Sequence, residues 1–170
     1  MSGLRVALLR GLYRVAWRGV QLRSMLGHRG NGVKCLLTHD GKVLMVRHTY
    51  GRRDVWYLPG GGVHRGEPPL DAAAREMEEE LGLRELRFRT LARFETRLER
   101  IDVRLTCAHA EVTDPTAVSP DPVEIADVGW FVPERLPTRM GLEERRLIGL
   151  LGTESGSPAP PQEDGPPGHV

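Results

Sequence analysis

A run of glycines followed at once by an acid-rich helix restricts most strongly how this chain can fold. Residues 60–67 read GGGVHRGE, and Pro68-Pro69 then indicate a helix over Leu70–Leu81, because proline is tolerated in a first helical turn. Gly82 ends that helix at a position where a positive φ is usual. Strand-like runs lie on both sides of the helix, which predicts an α/β fold with a mixed sheet packed between helices.

The rest of the pattern predicts six strands and a closing helix. Asp40-Gly41 separates the first two strands and favours a tight hairpin, because both central residues of such a turn need positive φ. The predicted strands are Val33–His39, Lys42–Thr49, Val55–Leu58, Leu86–Leu98, Ile101–Val112 and Val128–Val132, and the closing helix is Met140–Leu151.

Three glutamates of the central helix share one face. At about 100° per residue, Glu76, Glu79 and Glu80 fall on a single stripe, whereas Glu78 points elsewhere, toward solvent. The predicted buried face consists of Leu70, Ala73, Ala74, Met77 and Leu81. Clustered carboxylates repel each other, and a hard cation such as Mg²⁺, Mn²⁺ or Ca²⁺ would relieve that repulsion. An acid-rich helix is equally often a solvated surface, so the stripe alone leaves both interpretations open.

The segment from Gly61 to Leu83 resembles the Nudix box, G-x5-E-x7-R-E-U-x-E-E-x-G-U, in which U is aliphatic. All nine specified positions match: Gly61, Glu67, Arg75, Glu76, Met77, Glu79, Glu80, Gly82 and Leu83. His64 stands where many members of the family have glutamate, within the unspecified part of the motif.

The resemblance implies a Nudix-like α/β/α sandwich and an enzyme that uses Mg²⁺ or Mn²⁺. The implied reaction is hydrolysis of a diphosphate bond in a nucleoside diphosphate derivative or nucleoside triphosphate. In the family's pattern Glu76 and Glu80 ligate the metal together with the Gly60 carbonyl. Glu79 binds metal or acts as general base, and Glu67 with Arg75 braces the site.

Four further residues are candidate substrate-binding or accessory groups. Arg47 and His48 precede the glycine run and could meet phosphate or base, and His64 lies within it. Glu124 is the best-placed acid for the additional loop carboxylate that some family members use. A plain surface acid is the alternative for Glu124, and the neighbouring Tyr50, Trp56 and Tyr57 could equally serve only for packing.

Substrate markers known from subfamilies are absent. Residues 84–114 contain no proline, and no tyrosine follows Tyr57. These absences disfavour the ADP-ribose and dinucleoside polyphosphate subfamilies without selecting another substrate.

The ends of the chain differ from its centre. Residues 1–29 carry six arginines and no acid, and an amphipathic helix is predicted over Leu4–Leu26. This helix could pack on the domain or a partner subunit, lie on a membrane surface, or target an organelle. Residues 30–151 are the predicted hydrolase domain, and residues 152–170 are predicted to be a disordered tail.

Composition excludes some classes of protein and leaves others open. The net charge of +1 argues against a general nucleic-acid binder, and Cys35 and Cys107 are too few for a disulfide scaffold. We expect a cytoplasmic enzyme that acts on a small nucleotide-type diphosphate, with the oligomeric state, a homodimer included, left open. The rival interpretations are a non-hydrolytic nucleotide-binding regulator and a membrane-surface hydrolase of lipid-linked diphosphates.

Overall fold

The computed structural model describes residues 30–98 and 101–154. The helix predicted over Leu4–Leu26 lies outside the described residues, as does the chain from residue 155 onward. The elements in chain order are β1 (Gly30–His39), β2 (Lys42–His48), α1 (Pro69–Leu81), β3 (Arg89–Leu98), β4 (Ile101–Glu111), β5 (Ile125–Phe131) and α2 (Leu142–Glu154).

The strands form one mixed sheet in the order β3-β4-β1-β2-β5. Strands β1 and β4 run parallel, and the other neighbouring pairs are antiparallel. The mixed sheet predicted from the sequence is therefore confirmed. The hairpin between β1 and β2 is also as predicted, with φ of 46° at Asp40 and 71° at Gly41.

The two helices cover opposite faces of the sheet. Cys35 and Leu37 of β1 pack in the cluster that contains Met77 of α1, whereas Leu36 packs in the cluster that contains Leu147 of α2. This alternation is what a strand buried on both faces requires, because successive side chains point to opposite sides. The architecture is thus the predicted α/β/α sandwich. None of the helices within residues 30–98 and 101–154 is long and apolar enough to cross a membrane.

The predicted strand over Val55–Leu58 is wrong. Within it only Trp56 and Tyr57 form isolated bridges, Trp56 to Met140 and Tyr57 to Val46. Element boundaries also shift: β5 begins at Ile125, and α2 runs from Leu142 to Glu154.

Residues 57–63, which we call the inserted segment, run between β1 and β2. The two strands pair with each other only beside their turn, at Thr38 and His39. Beyond that point the inserted segment fills the gap, with hydrogen bonds to β2 on one side and to β1 on the other. These bonds are Val46 N to Tyr57 O (2.9 Å), Cys35 N to Pro59 O (2.8 Å), Val33 N to Gly61 O (2.9 Å) and Val63 N to Asn31 O (2.9 Å).

Helix α1 runs from Pro69 to Leu81 and begins one residue before the predicted start. Gly82 caps its end with a φ of 68°, as the sequence predicts. Its buried face differs from the predicted one: Ala74 is exposed, whereas Ala72 and Glu80 are buried. The helix is rotated so that Glu76 and Glu80 face the inserted segment. This orientation is sterically allowed because the facing residues are glycines.

Candidate active site

Glu80 is the most deeply buried member of the acidic stripe, with a relative exposure of 3%. Burial above all, together with the charges of Glu76 and Glu124, raises the pKa of Glu80 to about 8. A hydrogen bond from Gly60 and the charge of Lys34 oppose this shift. The Gly60 N–H donates to Glu80 Oε2 at 3.1 Å. A dry carboxylate with two like-charged neighbours is a location where a bound cation would be strongly favoured.

Glu76 lies directly over Gly61. A Cβ built on Gly61 would come within 2.4 Å of the Glu76 carboxyl carbon, so a larger residue there would displace this carboxylate. Burial raises the pKa of Glu76, and its hydrogen bond with Arg75 opposes the rise. Gly60 is constrained for a different reason, because its φ is 137° and a Cβ there would lie 2.3 Å from Val33 O.

Arg75 joins α1 to residues 60–67, which we call the glycine loop. Its guanidinium donates to Glu67 Oε1 (2.9 Å), Glu76 Oε1 (2.8 Å) and Glu79 Oε2 (3.2 Å), and also to Gly62 O (2.9 Å). The hydrogen bond from Arg75, together with one from the backbone N–H of His64, lowers the pKa of Glu67 to about 2. Glu67 in turn raises the pKa of Arg75. This network fixes the loop against α1.

The structure brings Glu67, Arg75, Glu76, Glu79 and Glu80 together on one side of α1. Glu79 is the most exposed of these carboxylates, with 59% of its side chain accessible to solvent. Glu78 points away from this group and pairs with Arg84 at 2.8 Å.

His64 and Glu124 lie near this group in different ways. The His64 side chain is exposed, and its Nδ1 is 3.6 Å from Glu67 Oε2. Glu124 is close enough for its charge to raise the pKa of Glu80, and its carbonyl accepts a hydrogen bond from Thr49 N–H at 2.8 Å. Glu124 thus approaches the stripe from the loop before β5.

Arg47 and His48 belong to a separate polar and aromatic cluster. Arg47 pairs with Asp127 at 2.5 Å and lies over the Trp56 ring. His48 stacks on Tyr50 at 4.8 Å between ring centroids, and its Nδ1 has no hydrogen-bond partner among the described residues. Burial lowers the pKa of His48 to about 4. No hydrogen bond or ion pair joins Arg47 or His48 to the acidic stripe in the described part of the chain.

The carboxylates are not arranged as a ready metal cage. Among the described residues, no three His, Cys, Asp or Glu side chains converge closely enough to hold a metal ion. The hydrogen bonds explain this arrangement, because Arg75 holds Glu76 and Glu79 while Glu80 turns toward the Gly60 N–H. The donor set is nevertheless all oxygen, which suits Mg²⁺ or Mn²⁺ better than zinc.

Sequence reasoning missed the role of Lys34. Its Nζ donates to Leu58 O at 3.2 Å and forms an ion pair with Glu144 of α2 at 3.4 Å. The pair ties α2 to the residue just before the glycines. The only signal in the sequence was a lysine within an apolar strand, and nothing local identified its partner.

A family model described as NUDIX domain matches residues 28–151. This match covers more than half of the chain, and the chain therefore belongs to the Nudix family.

Relatives with curated names agree with this membership. The chain is 35% identical over 140 residues to an ADP-ribose pyrophosphatase of Mycobacterium tuberculosis, covering 76% of this chain and 65% of that protein. It is 34% identical over 124 residues to an uncharacterised Nudix hydrolase of Pseudomonas aeruginosa, covering 70% of this chain and 69% of that one. A shorter match, 44% identical over 62 residues, links it to an RNA pyrophosphohydrolase of Gluconobacter oxydans, covering 36% of each chain. The chain thus spans less than two thirds of the length of the ADP-ribose pyrophosphatase and of the RNA pyrophosphohydrolase.

Solved structures share the fold. A MutT protein from Methanosarcina mazei superposes with a TM-score of 0.66 at 20% identity, covering 77% of this chain and 98% of that one. A MutT NUDIX hydrolase from Burkholderia pseudomallei gives 0.64 at 24% identity, covering 73% and 98%.

Proposed function

We propose that this protein is a divalent-metal-dependent hydrolase of a diphosphate bond in a nucleoside diphosphate derivative or nucleoside triphosphate. The observation that carries the proposal is the burial of Glu80 beside Glu76 and Glu124, which raises the pKa of Glu80 to about 8. Burying carboxylates together costs stability, and a hydrolase that binds metal recovers that cost when the ion is present.

Glu76, Glu79 and Glu80, with the carbonyl of Gly60, are the groups proposed to hold Mg²⁺ or Mn²⁺. The bound ion supplies charge neutralisation at the diphosphate and makes a coordinated water more acidic. To hold the ion, Glu76 and Glu79 would have to release their hydrogen bonds from Arg75. Arg75 stays in place through Glu67, to which it donates two hydrogen bonds of 2.9 and 3.2 Å.

Glu79 is proposed as the general base. It lies at the open side of the stripe with more than half of its side chain exposed, so it is accessible to a water molecule. A carboxylate at this position takes the proton of the attacking water, a role that typically contributes about 10²–10⁴-fold to the rate. Glu67 and Arg75 act by positioning the helix against the loop.

The comparisons favour ADP-ribose as the first substrate to test. The match to the ADP-ribose pyrophosphatase extends over 140 residues, whereas the match to the RNA pyrophosphohydrolase extends over 62. The absent downstream proline, however, disfavours that substrate, so nucleoside triphosphates belong in the same assay.

The test is a hydrolysis screen of ADP-ribose, other nucleoside diphosphate derivatives and nucleoside triphosphates with Mg²⁺, with Mn²⁺ and with EDTA. We expect turnover that EDTA abolishes, and a loss of about 10²–10⁴-fold in kcat for Glu79→Gln. Glu78→Gln is the matched control, because Glu78 is the same residue type one position earlier but pairs with Arg84 on the solvent side. Equal rates for Glu79→Gln and Glu78→Gln would refute the role of Glu79.

A non-hydrolytic nucleotide-binding protein is the alternative. The retention of Glu76, Glu79 and Glu80 favours hydrolysis, because nucleotide binding alone does not require three clustered carboxylates. Nucleotide binding by the wild type without turnover of any compound in the screen would support the alternative and contradict our proposal.

A further inference from the structure

An open cleft of about 650 Å³ begins beside Glu67 and extends toward the outer strands of the sheet. Asn31 and Gly32 of β1 and Thr106 of β4 contribute to its lining. Residues of the glycine loop and the start of α1 line one side, and β3 and β4 line the other. The cleft therefore adjoins the glycine loop and the start of α1 through Val63, Glu67 and Pro69, and it offers space for part of a substrate.

The charges in this cleft are unequally compensated. Glu67 is paired with Arg75, and Glu95 is paired with Arg104 at 3.0 Å. Arg93 also lines the cleft and is exposed, yet it has no ion-pair partner among residues 30–98 and 101–154. One positive charge is left without a counter-charge from the described residues.

The strand register places Arg93 on one face of the sheet. Arg93 lies opposite Thr106 and Glu95 lies opposite Arg104 in the antiparallel pairing of β3 with β4. Residues two apart on a strand point to the same side. Arg93, Glu95 and Arg104 thus occupy the face that carries α1, while Phe94 packs in the cluster beneath α2.

We infer that Arg93 binds a phosphoryl group of the substrate in this cleft. The inference rests on the proposed function, and it assigns a residue to the substrate phosphates beyond those held at the acidic stripe. A guanidinium suits this task, because it presents paired N–H donors that match phosphate oxygens. Arg75 and Arg104 are already committed to carboxylates, whereas Arg93 is available.

The experiment measures binding rather than turnover. Isothermal titration calorimetry with Mg²⁺ and α,β-methylene-ADP compares wild type with Arg93→Met and Arg93→Lys; the bridging carbon of this ligand prevents cleavage between its phosphates. We expect Arg93→Met to raise Kd about tenfold to a hundredfold, as for loss of a charge-assisted hydrogen bond. Arg93→Lys should raise Kd by a smaller factor, because lysine keeps the charge but not the paired N–H donors. Binding of adenosine should not change.

Arg145→Met is the control for a general effect of charge, since Arg145 is an exposed arginine of α2, on the opposite face of the sheet. Four results would each overturn the inference. Two concern the variants: an unchanged Kd for Arg93→Met, or an equal rise in Kd for Arg145→Met. The other two are an equal loss of adenosine affinity in Arg93→Met and no binding of α,β-methylene-ADP by the wild type. Turnover in the hydrolysis screen with an unchanged Kd for Arg93→Met would leave the proposed function standing. A loss of binding in Arg93→Met without turnover by the wild type would contradict the proposed function but not the binding role of Arg93.

Discussion

Identical side chains at this site have sharply different properties because their surroundings differ. Glu67 accepts hydrogen bonds from Arg75 and from the His64 N–H, and its pKa is lowered to about 2. Glu80 is buried beside other carboxylates, and its pKa is raised to about 8. Glu79 lies at the solvent side of the stripe. Environment, rather than residue type, separates a bracing carboxylate from those proposed to bind metal.

His48 gives a pH prediction at the residue scale. Its folded-state pKa of about 4 lies below the ordinary value of 6.5, so below pH 6.5 the folded state binds fewer protons than the unfolded state. The contribution of His48 to stability is complete above pH 6.5 and is lost as the pH falls through 4, by about 3 kcal/mol in total. Urea unfolding between pH 7 and 4 should therefore show a smaller loss in His48→Phe than in the wild type.

The control for this measurement is His64→Gln, because His64 is exposed and lies in a loop. This variant should lose as much unfolding free energy between pH 7 and 4 as the wild type does. Identical pH profiles for the wild type and His48→Phe would contradict the account of His48 as a neutral buried ring.

At the scale of elements, the inserted segment determines the site. Helix α1, its ends and the Asp40-Gly41 turn could be predicted from sequence because they depend on local residues. The placement of residues 57–63 between β1 and β2 could not, since it depends on hydrogen bonds to two strands distant in sequence. For the same reason the buried face of α1 was misplaced: helical periodicity alone did not show that glycines would admit Glu76 and Glu80.

Gly60→Ala tests this role of the inserted segment. An alanine there must adopt a φ of 137° and place its Cβ 2.3 Å from Val33 O, so we expect a loss of about 3 kcal/mol or more in unfolding free energy. Gly62→Ala is the matched control, because a Cβ at Gly62 would meet no atom within 4 Å. It should change stability by less than about 0.5 kcal/mol. Similar urea midpoints for the two variants would show that the tight fit at Gly60 is unimportant.

At the scale of the whole molecule, one ion pair connects the α2 layer to the segment that carries the glycines. Lys34 reaches from β1 to Glu144 of α2 and to the carbonyl of Leu58, directly before Pro59 and Gly60. Neither this pair nor the cleft beside Arg93 could be predicted from sequence, because each joins residues that only the sheet order brings together. The residues of the Nudix box could be predicted because they lie within one loop and one helix.

Lys34→Met should be strongly destabilising. It leaves Glu144, which is 5% exposed, without its cation, and breaking a buried pair by removing one partner typically costs about 3–5 kcal/mol. Lys34→Met/Glu144→Gln should recover part of that loss. A double-mutant cycle by urea unfolding should give a coupling energy of about 1–3 kcal/mol, and strictly additive losses would show that the two side chains do not interact.

Direct binding of Mn²⁺ tests the central claim that the acidic stripe is a metal site, because it requires no knowledge of the substrate. Electron paramagnetic resonance titration should show Mn²⁺ bound by the wild type and by Glu78→Gln with similar Kd. In Glu80→Gln, which removes the charge of the most deeply buried carboxylate of the stripe, Kd should rise about a hundredfold or more. Equal Mn²⁺ affinity in Glu80→Gln and Glu78→Gln would contradict the claim.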